Sequence, residues 1–305
     1  MATNFKAQHN PERRKFIRTT FKAAVATTFL NLPAISRASG FGKPAFTIQN
    51  VIDLILKDIP GAPLKATVDT IKSGSADNIV TGIVTTMFAT IKVIEEAIKL
   101  NANFIIAHEP TFYNHNDDIK WIEKNEVVEQ KMALLEKHKI TIWRFHDYWH
   151  MHNPDGIIYG VVKKAGWQNY YTSGSPILNI PQSSLHDTAW HLKKSLGINK
   201  LRVIGNMEQK CSKIALLPGA SGGEKQLMVA ETYKPDILIV GELREWETAE
   251  YIRDAGLLGK KIALIVLGHS VSEEPGMEWL VSWLQPKITA IKVTHIASEN
   301  PFVWI

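Results

Sequence analysis

Only one cysteine, Cys211, stands among the 305 residues. A lone thiol excludes an internal disulfide and every zinc site built from several thiolates, so any metal here must be held by imidazole and carboxylate. Excess charge is missing too, once the chain is divided. The whole carries a formal charge of +5, but seven bases (Lys6, Arg13, Arg14, Lys15, Arg18, Lys22, Arg37) and one acid (Glu12) fall within residues 1–39, leaving 28 bases against 29 acids. A near-neutral body offers no electrostatic footprint for nucleic acid. Long hydrophobic runs are absent as well. No stretch reaches the roughly 20 apolar residues of a membrane span, so the mature protein is expected to be soluble and to have no membrane partner. Short repeats and low-complexity tracts are likewise lacking.

The first 39 residues read as an export leader. "ERRKFIR" is a twin-arginine motif, followed by the uncharged, moderately apolar "AAVATTFLNLPAI" and by "SRA", whose Ser36 and Ala38 fit a small-residue cleavage rule. An uncleaved amphipathic arm is the alternative. A periplasmic or otherwise exported location is expected, by a route that carries folded proteins and suits one loaded with metal in the cytoplasm.

Beyond the leader, apolar runs of strand length alternate with amphipathic stretches of helical length. Strands are expected at 79–84, 104–107, 140–145, 200–204, 213–217, 236–240, 262–267 and 288–294. Helices are expected at 88–100, within 121–137, and at 155–165, 183–198, 223–232, 245–255 and 274–284, that at 183–198 opened by Ser184 with Asp187 three residues later. This alternation predicts an α/β fold with mostly parallel sheets. The Gly-, Pro-, Ser- and Asn-rich stretch 168–182 is the expected boundary.

Three apolar runs end in His and carboxylate where turn residues would be ordinary. His108 and Glu109 close "FIIAHEP"; His146, Asp147, His150 and His152 close "ITIWRFHDYWHMH"; His269 and Glu273 close "IALIVLGHSVSEEPG". In parallel sheets the loops beyond the carboxyl ends of the strands converge on ligands. A helix starting at residue 274 is expected to hold Glu273 at its N-terminus, where a carboxylate is favoured. Imidazoles from separate strands together with carboxylates suit Zn, Fe or Mn. A single His at a strand end is more often a hydrogen-bonding residue, and it is the threefold recurrence that points to ligation.

The order "VTGIV", "IEEAI", "ANFIIAHEP", "IWRFHDYWH", "ILIVGEL" and "GHSVSEEPGMEWL" resembles the Nif-three-like (NGG-interacting-factor-three-like) dinuclear metal-binding proteins, also called GTP cyclohydrolase I type 2 homologues. The likeness spans roughly residues 48–305, and its most specific element is kept in His269, Glu273 and Gly276. Where the family usually shows His-His-Pro, this chain has His108, Glu109 and Pro110; where it places an Asp ligand four residues after a His, this chain has His150 four after His146. The two departures exchange one imidazole and one carboxylate, preserving donor count and charge.

What the resemblance implies is two linked α/β domains, 48–170 and 171–305, with the segment 262–305 contributing to a metal cleft between them. It also implies two divalent ions (Zn, Fe or Mn) on His108, Glu109, His146, His150, His269 and Glu273, a small-molecule substrate or ligand, and a homo-oligomer, hexameric in the family. Hydrolysis by water activated between the ions is the expected chemistry, with Asp147, His152 or Glu274 as proton-transfer partner. A degenerate, single-metal or empty site is the alternative to the ion pair. A non-catalytic, metal-loaded ligand-binding or scaffolding protein is the alternative to the enzyme.

A rival enzyme reading comes from "GASGG", which places Ser221 in a Gly-x-Ser-x-Gly pattern between a strand and a helix, with Asp236 or Asp254 and His269 or His295 following. Pro218 at the strand end and the lack of an upstream His-Gly-Gly loop count against a serine hydrolase. Remaining candidates read as structural: His186 and His191 on a solvated helix face, Glu242 as a cap, and Trp143, Trp190, Trp279 and Trp283 as core packing.

Overall fold

The computed structural model describes residues 46–303 and 305, so the leader read at 1–39 lies outside the described residues. Within Pro44–Ile305, a single compact unit, the chain runs α1 (Ile48–Leu56), β1 (Ile71–Ser73), β2 (Ile83–Thr86), α2 (Ile91–Lys99), β3 (Phe104–Ala107), α3 (Glu126–Lys137), β4 (Thr141–Arg144), α4 (Asp147–Met151) and α5 (Gly156–Lys164). It continues through β5 (Ile177–Ser184), α6 (Leu185–Leu196), β6 (Arg202–Ile204), β7 (Lys210–Leu217), α7 (Gly223–Tyr233), β8 (Ile237–Val240), α8 (Glu250–Leu257), β9 (Ala263–Val266), α9 (His269–Leu284) and β10 (Val293–His295).

The strands form two five-stranded sheets, in the orders β1-β4-β3-β2-β10 and β5-β7-β8-β9-β6. Pairing is parallel in both centres, while β1, β5 and β6 join their sheets antiparallel. The central strands β2, β3, β4, β8 and β9 are buried at every position, which is why they read as unbroken apolar runs: helices cover both faces of a parallel sheet. Ile83, Phe104, Ile106 and Trp143 pack under α1 and α9, whereas Val84, Ile105 and Ile142 face α2 and α3. In the second sheet Ile214, Ile237 and Ile265 meet α5 and α6, and Leu217, Leu238 and Val266 meet α7 and α8.

Helix starts follow side-chain caps. Thr47, Thr90, Asn125, Asp155 and Ser184 each accept a backbone N–H of the first turn, and Ser184 Oγ takes the Asp187 amide at 3.0 Å, as expected from the sequence. Several features depart from expectation: α1 and β1 are not among the expected elements, and the strands expected at 79–84 and 288–294 are β2 at Ile83–Thr86 and β10 at Val293–His295. The stretch 168–182 falls between the strands β1–β4 of one sheet and β5–β9 of the other, but its second half is the start of β5 and not loop: an edge strand tolerates Pro181 and its polar neighbours where a central one would not, and the register against β7 shifts between Asn179 and Ser183.

The last long helix begins five residues earlier than expected. α9 starts at His269, directly after Gly268 (φ 96°), and runs through Pro275. Pro275 mimics a helix start, yet the proline sits in the second turn, where it cannot donate an intrahelical bond and its ring crowds the carbonyl four residues back. Glu273 therefore lies one turn inside the helix and not at its N-terminus.

Helices α5 and α9 tie the two sheets together. Their backbones cross at Gly160 and Gly276, where a Cβ on Gly160 would collide with the Gly276 backbone and with Pro275 O (2.5 Å). After α9 the chain returns to the first sheet, β10 pairing with β2. Among the described residues no helix is long and apolar enough to cross a membrane.

Candidate metal centre

Three strand ends deliver the site. β3 runs straight into His108 and Glu109, β4 into His146 at the start of α4 with His150 one turn on, and β9 through Gly268 into His269 and Glu273 on α9. β3 and β4 are neighbours in the first sheet, whereas β9 is in the second; side chains of both sheets thus meet at their carboxyl ends. His269 and Glu273, four residues apart on a helix, share a face, and His269 Nε2 lies 3.1 Å from Glu273 Oε2. His269 Nε2 is also 3.3 Å from Glu109 Oε1, and His108 Nε2 is 3.7 Å from Glu273 Oε2. The rings of His108, His146 and His150 lie with centroids 4.7–5.1 Å apart.

Each imidazole is anchored through Nδ1. That of His108 bonds Phe145 O at 3.0 Å; because a carbonyl only accepts, the proton is on Nδ1 and Nε2 carries the lone pair. His146 Nδ1 bonds Asp147 Oδ1 and His150 Nδ1 bonds Asp155 Oδ2, both at 2.9 Å. His269 Nδ1 faces Glu242 Oε2 at 3.3 Å. An oxygen partner on the far nitrogen is what orients and tautomerises a metal-ligating histidine.

The donor set fits a cation. His108 is fully buried and its Nε2 has no hydrogen-bond partner, although leaving a buried polar atom unsatisfied costs about 1–3 kcal/mol. Ligand atoms of His108, His146 and His150 lie within 4.8 Å of one another, and so do those of His108, Glu109 and Glu273. Gly219, at φ 65°, leaves room for the Glu273 carboxylate, which any Cβ there would strike.

Electrostatics respond to this crowding. Burial, together with the neighbouring His150 and His146, pushes the His108 pKa well below the usual imidazole value, so the ring is neutral. His269 is pulled down by burial, but hydrogen bonds and charge from Glu109 and Glu273 win and lift it to about 10. Burial likewise opposes the His150 cation, and Asp155 outweighs it, leaving the pKa raised. Glu109 is held below the usual carboxylate range despite its burial by His269, His146 and Arg144.

Of the proposed proton carriers, Asp147 does not stand free. It bonds His146 Nδ1, Thr67 Oγ1 (2.8 Å) and the Val68 amide (3.3 Å). Glu274 accepts from the Met87 amide and from Ser298, and faces His295 Nε2 at 3.2 Å. His152 Nδ1 bonds Pro154 O, its ring packed among Trp149, Trp279 and Trp283. Ser221 Oγ accepts from Gln226 Nε2 at 3.1 Å, while the two histidines named for it are engaged elsewhere: His269 with carboxylates, and His295 with Glu274 and Thr85. Ser221 lies in a depression of about 530 Å³ lined also by Gly222, Lys225, Glu242, Arg244 and Glu247.

Several supporting residues escape a reading of the sequence. Arg144, fully buried, donates Nε to His108 O (3.2 Å) and Nη2 to Glu109 Oε2 (3.3 Å), and also bonds His115 O. An arginine ending the apolar run "TIWR" is the available signal, since a buried guanidinium demands partners. Asp69 Oδ1 accepts the His146 and Asp147 amides and Oδ2 that of Tyr148, holding the start of α4. Glu242, read from the sequence as a cap that the resemblance keeps near the cleft, makes no cap and joins His269 to the depression.

Comparison with known proteins identifies the family and the fold. Residues 65–301 match the family model Duf34/NIF3 (NGG1p interacting factor 3). The chain is 22% identical over 237 residues to a GTP cyclohydrolase 1 type 2 homolog of Chlamydia trachomatis, covering 75% of this chain and 88% of the relative. With the homolog of Clostridium perfringens the identity is 24%, over 74% of this chain and 87% of that one. A Staphylococcus aureus hypothetical protein shares the fold with a TM-score of 0.69 at 20% identity, over 85% of this chain and 99% of that one. A Bacillus cereus protein related to NIF3 does so with a TM-score of 0.68 at 17% identity, over 86% and 100%. With its fold shared and the family model spanning both sheets and all six clustered residues, the chain belongs to the Duf34/NIF3 family.

Proposed function

We propose that this is an exported, metal-dependent hydrolase holding two divalent cations (Zn, Fe or Mn) on His108, Glu109, His146, His150, His269 and Glu273, between the two sheets. The observation that carries the reading is the orphaned, lone-pair-bearing Nε2 of a fully buried His108, in a ring of donors whose other imidazoles are anchored by oxygen. Such a pair of cations supplies an acidified water and neutralises charge developing on the attacked group. The chain's own residues do the rest. Phe145 O, Asp147, Asp155 and Glu242 fix the four rings, and Arg144 turns Glu109 so that Oε1 faces His269. Glu242, half-exposed between His269 and the depression, is placed to carry a proton between them. A small molecule seated over Gly222 and Arg244 would meet the cluster from that side. The leader at 1–39 accounts for export, and the homo-oligomer is part of the same proposal.

Elemental analysis of purified protein should find two ions per chain. A panel of phosphoesters, cyclic amides and nucleotides, GTP included after the relatives' name, should show turnover abolished by chelator and restored by metal. Turnover indifferent to chelation, or no retained metal, overturns the reading; retained metal with no turnover leaves a ligand-binding protein in its place. Glu242→Gln, measured at saturating metal because Glu242 also anchors His269, should lower kcat about 100-fold.

A further inference from the structure

The two groups of donors share His108, yet a single Nε2 lone pair serves only one cation. Which group claims it decides the character of both sites. His108 stacks on His146 at 4.7 Å and meets His150 edge-on at 5.1 Å, and the Nε2 of all three is left over by the Nδ1 anchors. Glu109 and Glu273 are meanwhile gathered around another ring: His269 Nε2 is 3.3 Å from one and 3.1 Å from the other, against 3.7 Å from His108 Nε2 to Glu273.

Glu109 sits on the border between the groups. Arg144 holds its Oε2 at 3.3 Å, while Oε1 lies 3.3 Å from His269 Nε2 and 3.7 Å from His146 Nε2. We infer that the six residues divide into a nitrogen-rich site around His108, His146 and His150 and an oxygen-rich site around His269, with Glu109 Oε1 and Glu273 Oε2 both nearer the second (3.3 and 3.1 Å) than the first (3.7 Å each), so that the two cations differ in kind. A site dominated by imidazole favours the later first-row ions such as Zn, and a site with two carboxylates accepts Mn. The inference rests on the dinuclear reading above and adds inequality to it. Arg144 acts in it as a positioning residue, since it leaves Glu109 a single oxygen to share.

The test is a metal displacement needing no substrate. Full-length mature protein is loaded with Mn, and Zn is titrated in while released and retained Mn are followed by elemental analysis and electron paramagnetic resonance. Two separated steps are expected, the first equivalent of Zn displacing one Mn about tenfold more readily than the second. The resonance should pass from a coupled pair to an isolated Mn between the steps. In His150→Asp, which removes one nitrogen, the steps should draw together. Release of both Mn ions in one step, or loading by a single Mn, overturns the inference while leaving a metal protein. Failure to load any metal overturns the proposed function as well.

Discussion

A buried histidine with one nitrogen bonded and the other idle is unstable unless something else completes it, and the same economy makes its neighbours' anchors sensitive. Asp155 both caps α5, through the Ile157 and Ile158 amides, and holds His150 Nδ1. Asparagine keeps the cap and loses the charge, so Asp155→Asn should leave the melting temperature nearly unchanged and weaken metal binding 10–100-fold, read by competition with a chromophoric chelator. Lys131 tests a different residue-scale cost. It is 3% exposed, donates to Thr111 O at 2.7 Å, and is lowered to about 8 by burial, with Asp117 opposing. Its folded pKa lies below the unfolded one, so the unfolded chain binds the extra proton between pH 8 and about 10.5 and stability rises with pH through that window. Lys131→Met should therefore stabilise the protein at pH 7 relative to its effect at pH 10.5, by a difference on the order of 3 kcal/mol in denaturant titrations at the two pH values. The clustered histidines and glutamates were legible because polar ligands at the ends of apolar runs stand out in one dimension. Arg144, Asp155 and Asp69 were not, because their roles exist only through partners brought close by β-pairing and by the turn into α4.

At the scale of elements, the crossing of α5 and α9 governs how the two halves of the cluster face each other. Asp155 begins one helix, and His269 and Glu273 lie on the other. Gly160→Ala should force the backbones apart, costing about 1–3 kcal/mol in chemical denaturation and lowering metal affinity in the surviving fold, though no ligand is touched. The buried strands and the Ser184 cap could be read from periodicity and cap chemistry alone. β5 could not, because an edge strand obeys looser rules and looks like a linker. Neither could the true start of α9, because Pro275 carries the signature of a first turn while standing in the second. That second miss matters for chemistry: the helix spacing of His269 and Glu273, not a helix N-terminus, aims this carboxylate.

For the whole molecule, cations held as proposed between elements of both sheets would couple loading to stability. Stripping metal should lower the melting temperature, and adding it back should raise stability by about 2.7 kcal/mol at 100 times the dissociation constant, measured by thermal unfolding against free metal. pH enters with a definite sign. His269, raised to about 10, carries a proton that a cation must displace. Affinity should therefore climb about tenfold per pH unit as pH rises from 6.5 towards that value, so far as this group controls it, and calorimetry in buffers of differing ionisation enthalpy should record the released proton.

The return of the chain to its first sheet sets an order of assembly. β10 pairs with β2 and Thr85 Oγ1 bonds Met277 O at 2.8 Å, so the helix bearing His269 and Glu273 is clamped by strands more than 200 positions apart in the sequence. A ribosome releases the early histidines long before their late counterparts emerge. Until the final strand slots home the nascent polypeptide presents only the donors of its first sheet, so under the dinuclear proposal completion of the oxygen-rich site would be one of the last events of biogenesis.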